Sequence, residues 1–325
     1  MVPSNPAPCT GGQVGYAFWA FDLDEAWGCA SEDPGYVQRA LPSKEALGLL
    51  SAVSNGFDAV HLFMYPHQCC TNVPSNVVQR DATPFLSWQQ ANRLHDNGVP
   101  VAHISDCVRI TAAATEGGTV LDLDLMWLKR APPSPYIATL LGKKAGWQVD
   151  KRYEEFARNG WDGRGRVNTP IGVVPKSRFA RSLLALVADF VAAWTKNMRF
   201  EPESQWNVLM HGIRDIVLEL GMGQQTRPPI EFGAALSWHA QRKSILADHA
   251  YDRARNIYGT DIPTKQEILA KSVAVPTSFA LATRHGVAQN DDVTELCAER
   301  PNSLLAAVCR AAGVLGPPEG TSGEM

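Results

Sequence analysis

The stretch Gly117-Gly118-Thr119-Val120-Leu121-Asp122-Leu123-Asp124-Leu125 places two carboxylates inside a hydrophobic run. Val120, Leu121, Leu123 and Leu125 behind a glycine pair predict a buried β-strand that follows a turn. Side chains alternate across a strand, so Asp122 and Asp124 are expected on one face, about 7 Å apart at their Cα atoms, with Leu121, Leu123 and Leu125 on the other. Two acids on one face of a core strand need a partner. A divalent cation bridging to a diphosphate fits best, because hard cations take oxygen ligands and are often held by one or two protein carboxylates plus substrate phosphates. The competing reading is a strand end whose acids are simply solvated.

Upstream, His103-Ile104-Ser105-Asp106-Cys107-Val108-Arg109-Ile110-Thr111-Ala112-Ala113-Ala114 predicts a helix with Ser105 as N-cap, Asp106 in the first turn and Gly117 at the close. Asp106 and Arg109 are three apart and share a helix face. Ser-Asp, two residues, Arg, a short helix, Gly-Gly and then a strand with Asp-x-Asp: in that order the segment resembles the sugar-nucleotide core of GT-A glycosyltransferases. The resemblance is to the retaining group that includes the yeast initiating mannosyltransferases, the α1,4-galactosyl- and N-acetylglucosaminyltransferases, and the clostridial glucosylating toxin domains.

The resemblance implies an α/β fold with a mostly parallel central sheet, helices on both faces and a helical C-terminal part. It implies one domain over residues 1–312, with 14–130 as the nucleotide-sugar half and 131–312 as the acceptor half. A Gly/Pro-rich tail from 313 to 325 is expected to be disordered. The activity implied is transfer of a sugar from a UDP- or GDP-linked donor, with retention at the anomeric carbon and with Mn²⁺ or Mg²⁺. Asp106, Arg109 and Asp122 are the catalytic candidates. Phe18, Trp19, Gly118 and Asn168 join them about the nucleotide sugar, and Asp122, Asp124 and His285 are the metal candidates, with His239 an alternative to His285. The acceptor, whether glycan, lipid or protein, is not specified.

On both sides the likeness continues more loosely. Tyr16 to Phe21 resembles the family's first strand, Leu41 to Leu50 its first helix, and Asn55 to Tyr65 the turn and second strand. Two positions depart from the pattern. Val120 stands where an aromatic is usual, and Glu116 precedes the glycine pair where an apolar or aromatic residue is commoner. Farther on, Arg178 to Lys196 and Gln205 to Leu220 predict apolar-faced helices, the second ended by Gly221.

Asp22-Leu23-Asp24 is a rival Asp-x-Asp. It resembles the first motif of haloacid-dehalogenase-type phosphatases, in which the first Asp attacks phosphorus and the second is the general acid or base. Those enzymes follow the pair with a small turn, and here Glu25-Ala26-Trp27 follows. A third reading is a non-catalytic module that only binds a sugar nucleotide.

With 30 basic and 33 acidic residues the net charge is −3, which gives no electrostatic pointer to nucleic acid or an anionic membrane. The chain has no apolar run long enough for a transmembrane span, and its start lacks the basic and apolar regions of a signal peptide. Seven scattered cysteines, with no zinc-module spacing, fit a reducing compartment. The expectation is a soluble cytoplasmic protein.

Overall fold

Alternation along the first strand builds the two sides of the sheet. In β1 (Val14–Phe18), Val14, Tyr16 and Phe18 enter one apolar cluster while Ala17 enters another on the opposite face. In β3 (Ala59–Met64), Phe63 joins the first cluster, and Val60, Leu62 and Met64 join the second. Both strands are buried on both faces, which is why they read as near-continuous hydrophobic runs.

The structure is a computed structural model, and it describes residues 12–20, 37–66, 68–140, 166–194, 199–201, 205, 207–227, 231, 265–276 and 293–315. The other strands are β2 (Val37–Arg39), β4 (Gln68–Cys70), β5 (Val77–Asp81), β6 (Gly118–Val120), β7 (Leu125–Trp127), β8 (Tyr136–Leu140), β9 (Arg166–Val173), β10 (Thr226–Arg227) and β11 (Ala274–Pro276). Helices are α1 (Ser43–Ser51), α2 (Trp88–Asp96), α3 (Val101–Glu116), α4 (Arg178–Trp194), α5 (Val208–Glu219), α6 (Lys265–Lys271), α7 (Val293–Glu299) and α8 (Leu304–Ala311). A π-helical turn, Ala52–Gly56, prolongs α1.

Seven strands form the central sheet in the order β10-β8-β9-β6-β1-β3-β5. Every neighbouring pair is parallel except the two made by β9, which runs antiparallel to β6 and β8. Buried residues of α2, α3, α4 and α5 cover one face. Leu49 of α1, with Phe57 and Trp127, covers the other, and α6, α7 and α8 share a third cluster with Met126 and Val275. The expected α/β class, with a mostly parallel sheet and helices on both faces, is what the described residues form.

Two local expectations are corrected. The Asp-x-Asp segment is not one strand: β6 stops at Val120, the Leu121 N–H still bonds the Tyr16 carbonyl at 3.0 Å, and residues 123 and 124 then turn. Leu125, Met126 and Trp127 are almost wholly buried as β7, which pairs with β11 away from the main sheet. That apolar run is buried against α1 and β11 rather than beside β1, so the two acids fall in the bend between two strands. The helix also begins earlier than expected. Pro100, in extended conformation, caps α3, and its carbonyl receives the His103 and Ile104 N–H groups. Burial of His103 and Ile104 carries the apolar face upstream, so Ser105 lies inside the helix and Asp106 beyond its first turn.

The glycine pair is required as expected. Gly117 (φ 82°) closes α3 and Gly118 (φ 124°) opens β6, in backbone conformations that L side chains rarely adopt. Glu116, the unusual residue before them, is held inside the fold. Arg80 grips both its oxygens at 2.7 and 2.9 Å, and the Tyr16 hydroxyl donates to it at 3.1 Å. Arg80 also donates to His61 Nδ1 at 2.9 Å, since a guanidinium has no lone pair to accept with. This knot fastens the C-terminal end of α3 to β1, β3 and β5.

It also sets an acid response. Burial, then the Arg80 charge, pushes the His61 pKa from 6.5 down to about 4, with Glu116 opposing. Between those values the unfolded chain takes up a proton that the folded chain refuses. Stability is therefore intact above pH 6.5 and falls as pH drops toward 4, by up to about 3 kcal/mol. Burial pushes Glu116 up, but its Arg80 hydrogen bonds outweigh that and hold it below the ordinary carboxylate value, so its own loss comes at lower pH. Urea midpoints measured from pH 7 to 4.5 should show this slope in the wild type and a flatter one in His61→Asn, which keeps an acceptor for Arg80 without titrating.

Candidate functional site

The strand order places a crevice. From β1 the chain adds β3 and β5 on one side and then returns to add β6 on the other, so the order reverses between β1 and β6. In open α/β sheets ligands bind outside the carboxyl ends of the strands at such a point. Here those ends are Phe18-Trp19 on β1 and Leu121-Asp122 just past β6.

Arg109, on α3 and 5% exposed, organises this edge. Its Nη2 donates to Asp106 Oδ1 at 2.6 Å, and its Nη1 donates to Asp122 Oδ1 and to the Leu121 carbonyl, each at 2.5 Å. Its Nε donates to the Ser105 carbonyl at 3.3 Å, so four hydrogen bonds leave one of the five guanidinium N–H groups over. Burial alone would lower the arginine pKa, but Asp122 and Asp106 more than offset that and raise it. The guanidinium thus ties together the two motifs that the sequence set 13 residues apart.

Asp122 is held at both oxygens, because the Thr169 hydroxyl donates to Oδ2. Thr169 reaches it from an irregularity in β9. Ile137 pairs with Ile171 but the next residue, Ala138, pairs with Asn168, so Thr169 and Pro170 are extra on the β9 side. Asp106 is 8% exposed, and its other oxygen lies 3.7 Å from His103 Nδ1. Asp124 occupies the bend, half-buried. The bend rests on α1 at Gly48, where any Cβ would run into the Leu123 carbonyl oxygen. The hydroxyl of Ser51 on the same helix accepts a hydrogen bond from the Trp127 backbone N–H at 2.9 Å.

The remaining candidates are not all brought here. Trp19 is half-buried at the edge, its backbone N–H donating to the Phe63 carbonyl at 3.1 Å. Phe18 is a core residue, 5% exposed and edge-on to Tyr65, since alternation turns it beneath the sheet. Gly118 lies at the opposite end of β6, where a Cβ would meet Tyr16 at 2.6 Å and the Val14 carbonyl at 2.7 Å, so close packing accounts for it. Asn168 is in β9 opposite Ala138, its side chain outside the described residues. His285, His239, Asp22 and Asp24 also lie outside them. Among the described residues no group of three or more His, Cys, Asp or Glu is placed to hold a metal, and no helix is long and apolar enough to cross a membrane.

Thr169 and Gly48 were missed by the sequence reading. A proline within a strand marks a bulge or an edge, and Thr169-Pro170 carried that signal inside the strand that holds Asn168. Gly48 gave none, because a glycine in a helix announces close packing only once the neighbour is known.

No protein-family model matches the chain, and no curated protein sequence matches it. Among solved structures, it is similar to one titled PaToxG Glycosyltransferase, at 12% identity and a TM-score of 0.37, over 81% of this chain and 90% of that one.

Proposed function

We propose that the chain is a glycosyltransferase that takes its sugar from a nucleotide-sugar donor, with Mn²⁺ or Mg²⁺ as cofactor. The observation that carries this reading is the buried Asp106–Arg109–Asp122 network at the carboxyl edge of the sheet, beside the point where strand order reverses. It unites the residues by which the sequence resembles retaining GT-A enzymes.

The donor set suits a hard cation. Asp106, Arg109 and Asp122 together leave one negative charge, Asp124 offers a further carboxylate in the bend, and a substrate diphosphate can complete the oxygen ligands. Asp124 would hold the cation directly, Asp122 directly or through water, and His285 remains the candidate third ligand. When bound, the cation neutralises the diphosphate as negative charge grows on it in the transition state. Arg109 spends its hydrogen bonds within the protein, so it acts by fixing Asp122 and Asp106. Asp122 then offers its remaining lone pairs to a donor hydroxyl, and Trp19, packed in part against the core at the β1 end, remains the aromatic candidate beside the donor. Retention follows from the resemblance.

Asp122→Asn should reduce donor hydrolysis by roughly a hundredfold or more, the scale of one lost transition-state contact, whereas Asp22→Asn should stay within about tenfold of wild type. Phosphate-ester hydrolysis lost in Asp22→Asn and untouched in Asp122→Asn would replace this reading with the phosphatase one.

A further inference from the structure

The carboxylate of Asp122 hangs on a torsion that one contact does not fix. Rotation about the Cβ–Cγ bond of aspartate is broad and roughly two-fold, so a single bond at Oδ1 leaves Oδ2 free to swing. Arg109 supplies the bond at Oδ1 and Thr169 the one at Oδ2. The Asp122 side chain is 33% exposed, and water competes for an oxygen there unless a protein donor holds it. Thr169 is 5% exposed and carries that donor on a rigid element.

The backbone is shaped to the same end. Two residues are inserted opposite the Ile137–Ala138 step, in the strand that runs antiparallel to β6. An extra residue leaves the ladder unpaired locally and re-aims a side chain, and bulges are over-represented next to active sites. This one carries a hydroxyl across from β9 to the bend beyond β6. A β-branched residue also has few χ1 choices, which narrows where its hydroxyl points.

We infer that Thr169 is a positioning residue for the reaction: by donating to Asp122 Oδ2 it locks the plane of the carboxylate that faces the donor. The inference rests on the nucleotide-sugar reading of the site. Thr169 acts through Asp122 and touches no substrate, so its effect vanishes once Asp122 no longer offers a carboxylate.

The test is sugar release from a nucleotide sugar that the wild type turns over, in Thr169→Val, Thr169→Ser, Asp122→Asn and the Thr169→Val/Asp122→Asn double variant. Valine keeps the shape and the β-branching and removes the hydroxyl, and turnover should fall about 10–100-fold, as for partners that orient a functional ligand. Serine keeps the hydroxyl and should stay within about threefold of wild type. In the Asp122→Asn background Thr169→Val should cost less than about twofold, because residues acting as one unit are not additive. Should valine lower the melting temperature, Thr169→Ala against Thr169→Ser, which differ by the hydroxyl alone, makes the same comparison. Wild-type turnover in Thr169→Val, or an equal loss in both backgrounds, overturns the positioning role while leaving the site reading in place. Wild-type turnover in Asp122→Asn overturns the site reading, and the positioning role falls with it.

Discussion

Arg109→Met is expected to cost about 3–5 kcal/mol of stability and to abolish turnover, because removing one partner of a buried ion network leaves charge uncompensated. The guanidinium sits between Asp106 and Asp122, whose side chains are 12% and 33% exposed. Without it, two carboxylates and the Leu121 and Ser105 carbonyls lose their donor together. Asp122 can recover some hydration from its exposed part, and Asp106 can recover little. Arg109→Lys is the sharper probe. One ammonium keeps the charge but lacks the planar fork, so it cannot hold both carboxylates and the carbonyls in one geometry. A loss of roughly tenfold or more in turnover, with a denaturation midpoint between those of wild type and Arg109→Met, is the expected pattern. Denaturant unfolding at pH 7 checks it, and a midpoint unchanged in Arg109→Met contradicts the buried network.

Asp124→Ala should abolish Mn²⁺-dependent nucleotide binding and leave the fold intact. On the proposed reading Asp124, half-buried in the bend between β6 and β7, supplies a direct oxygen ligand to the cation. Its removal takes away one carboxylate and with it a hard oxygen ligand. The bend itself is anchored by other means: Leu121 N–H on Tyr16, Trp127 N–H on Ser51, and Gly48 against the Leu123 carbonyl. The melting temperature should therefore move little. Calorimetry with UDP or GDP, with and without Mn²⁺, reads the effect, and unchanged metal-dependent affinity in the variant removes Asp124 from the metal site.

Family resemblance supplied the sheet, and periodicity the apolar helices that cover it. The helix α4 is amphipathic with Phe179, Leu183, Val187, Phe190 and Trp194 buried, so its type was legible from spacing, whereas the strands at Val14–Phe18 and Ala59–Met64, apolar on both faces, were reached through the family resemblance of Tyr16 to Phe21 and Asn55 to Tyr65. Asp106 and Arg109 were legible as a pair because three residues on a helix is a fixed geometry. What spacing cannot supply is a contact between distant elements. That Arg109 reaches Asp122, that Thr169 meets it from β9, and that Glu116 is tied to Arg80 all depend on how α3, β5, β6 and β9 come together. The strand that ended early shows the same limit. Alternation put Asp122 and Asp124 on one face of a continuous strand, but the burial of Leu125, Met126 and Trp127 against α1 and β11 bends the chain between them. Ser105 had the residue type of an N-cap, yet packing of His103 and Ile104 carried the helix upstream to Pro100.

On the proposed reading the acidic edge of β6 activates a nucleotide sugar for transfer and does more than bind it. Release of free sugar from a panel of UDP- and GDP-sugars, assayed with Mn²⁺ and again with a chelator, tests this most directly, because a competent transferase site leaks sugar to water and a binding module does not. Slow, metal-dependent release from at least one donor is expected of the wild-type protein and is expected to be absent in Asp124→Ala. No release from any donor, with metal-dependent nucleotide binding intact, would contradict that reading and leave a binding module in its place.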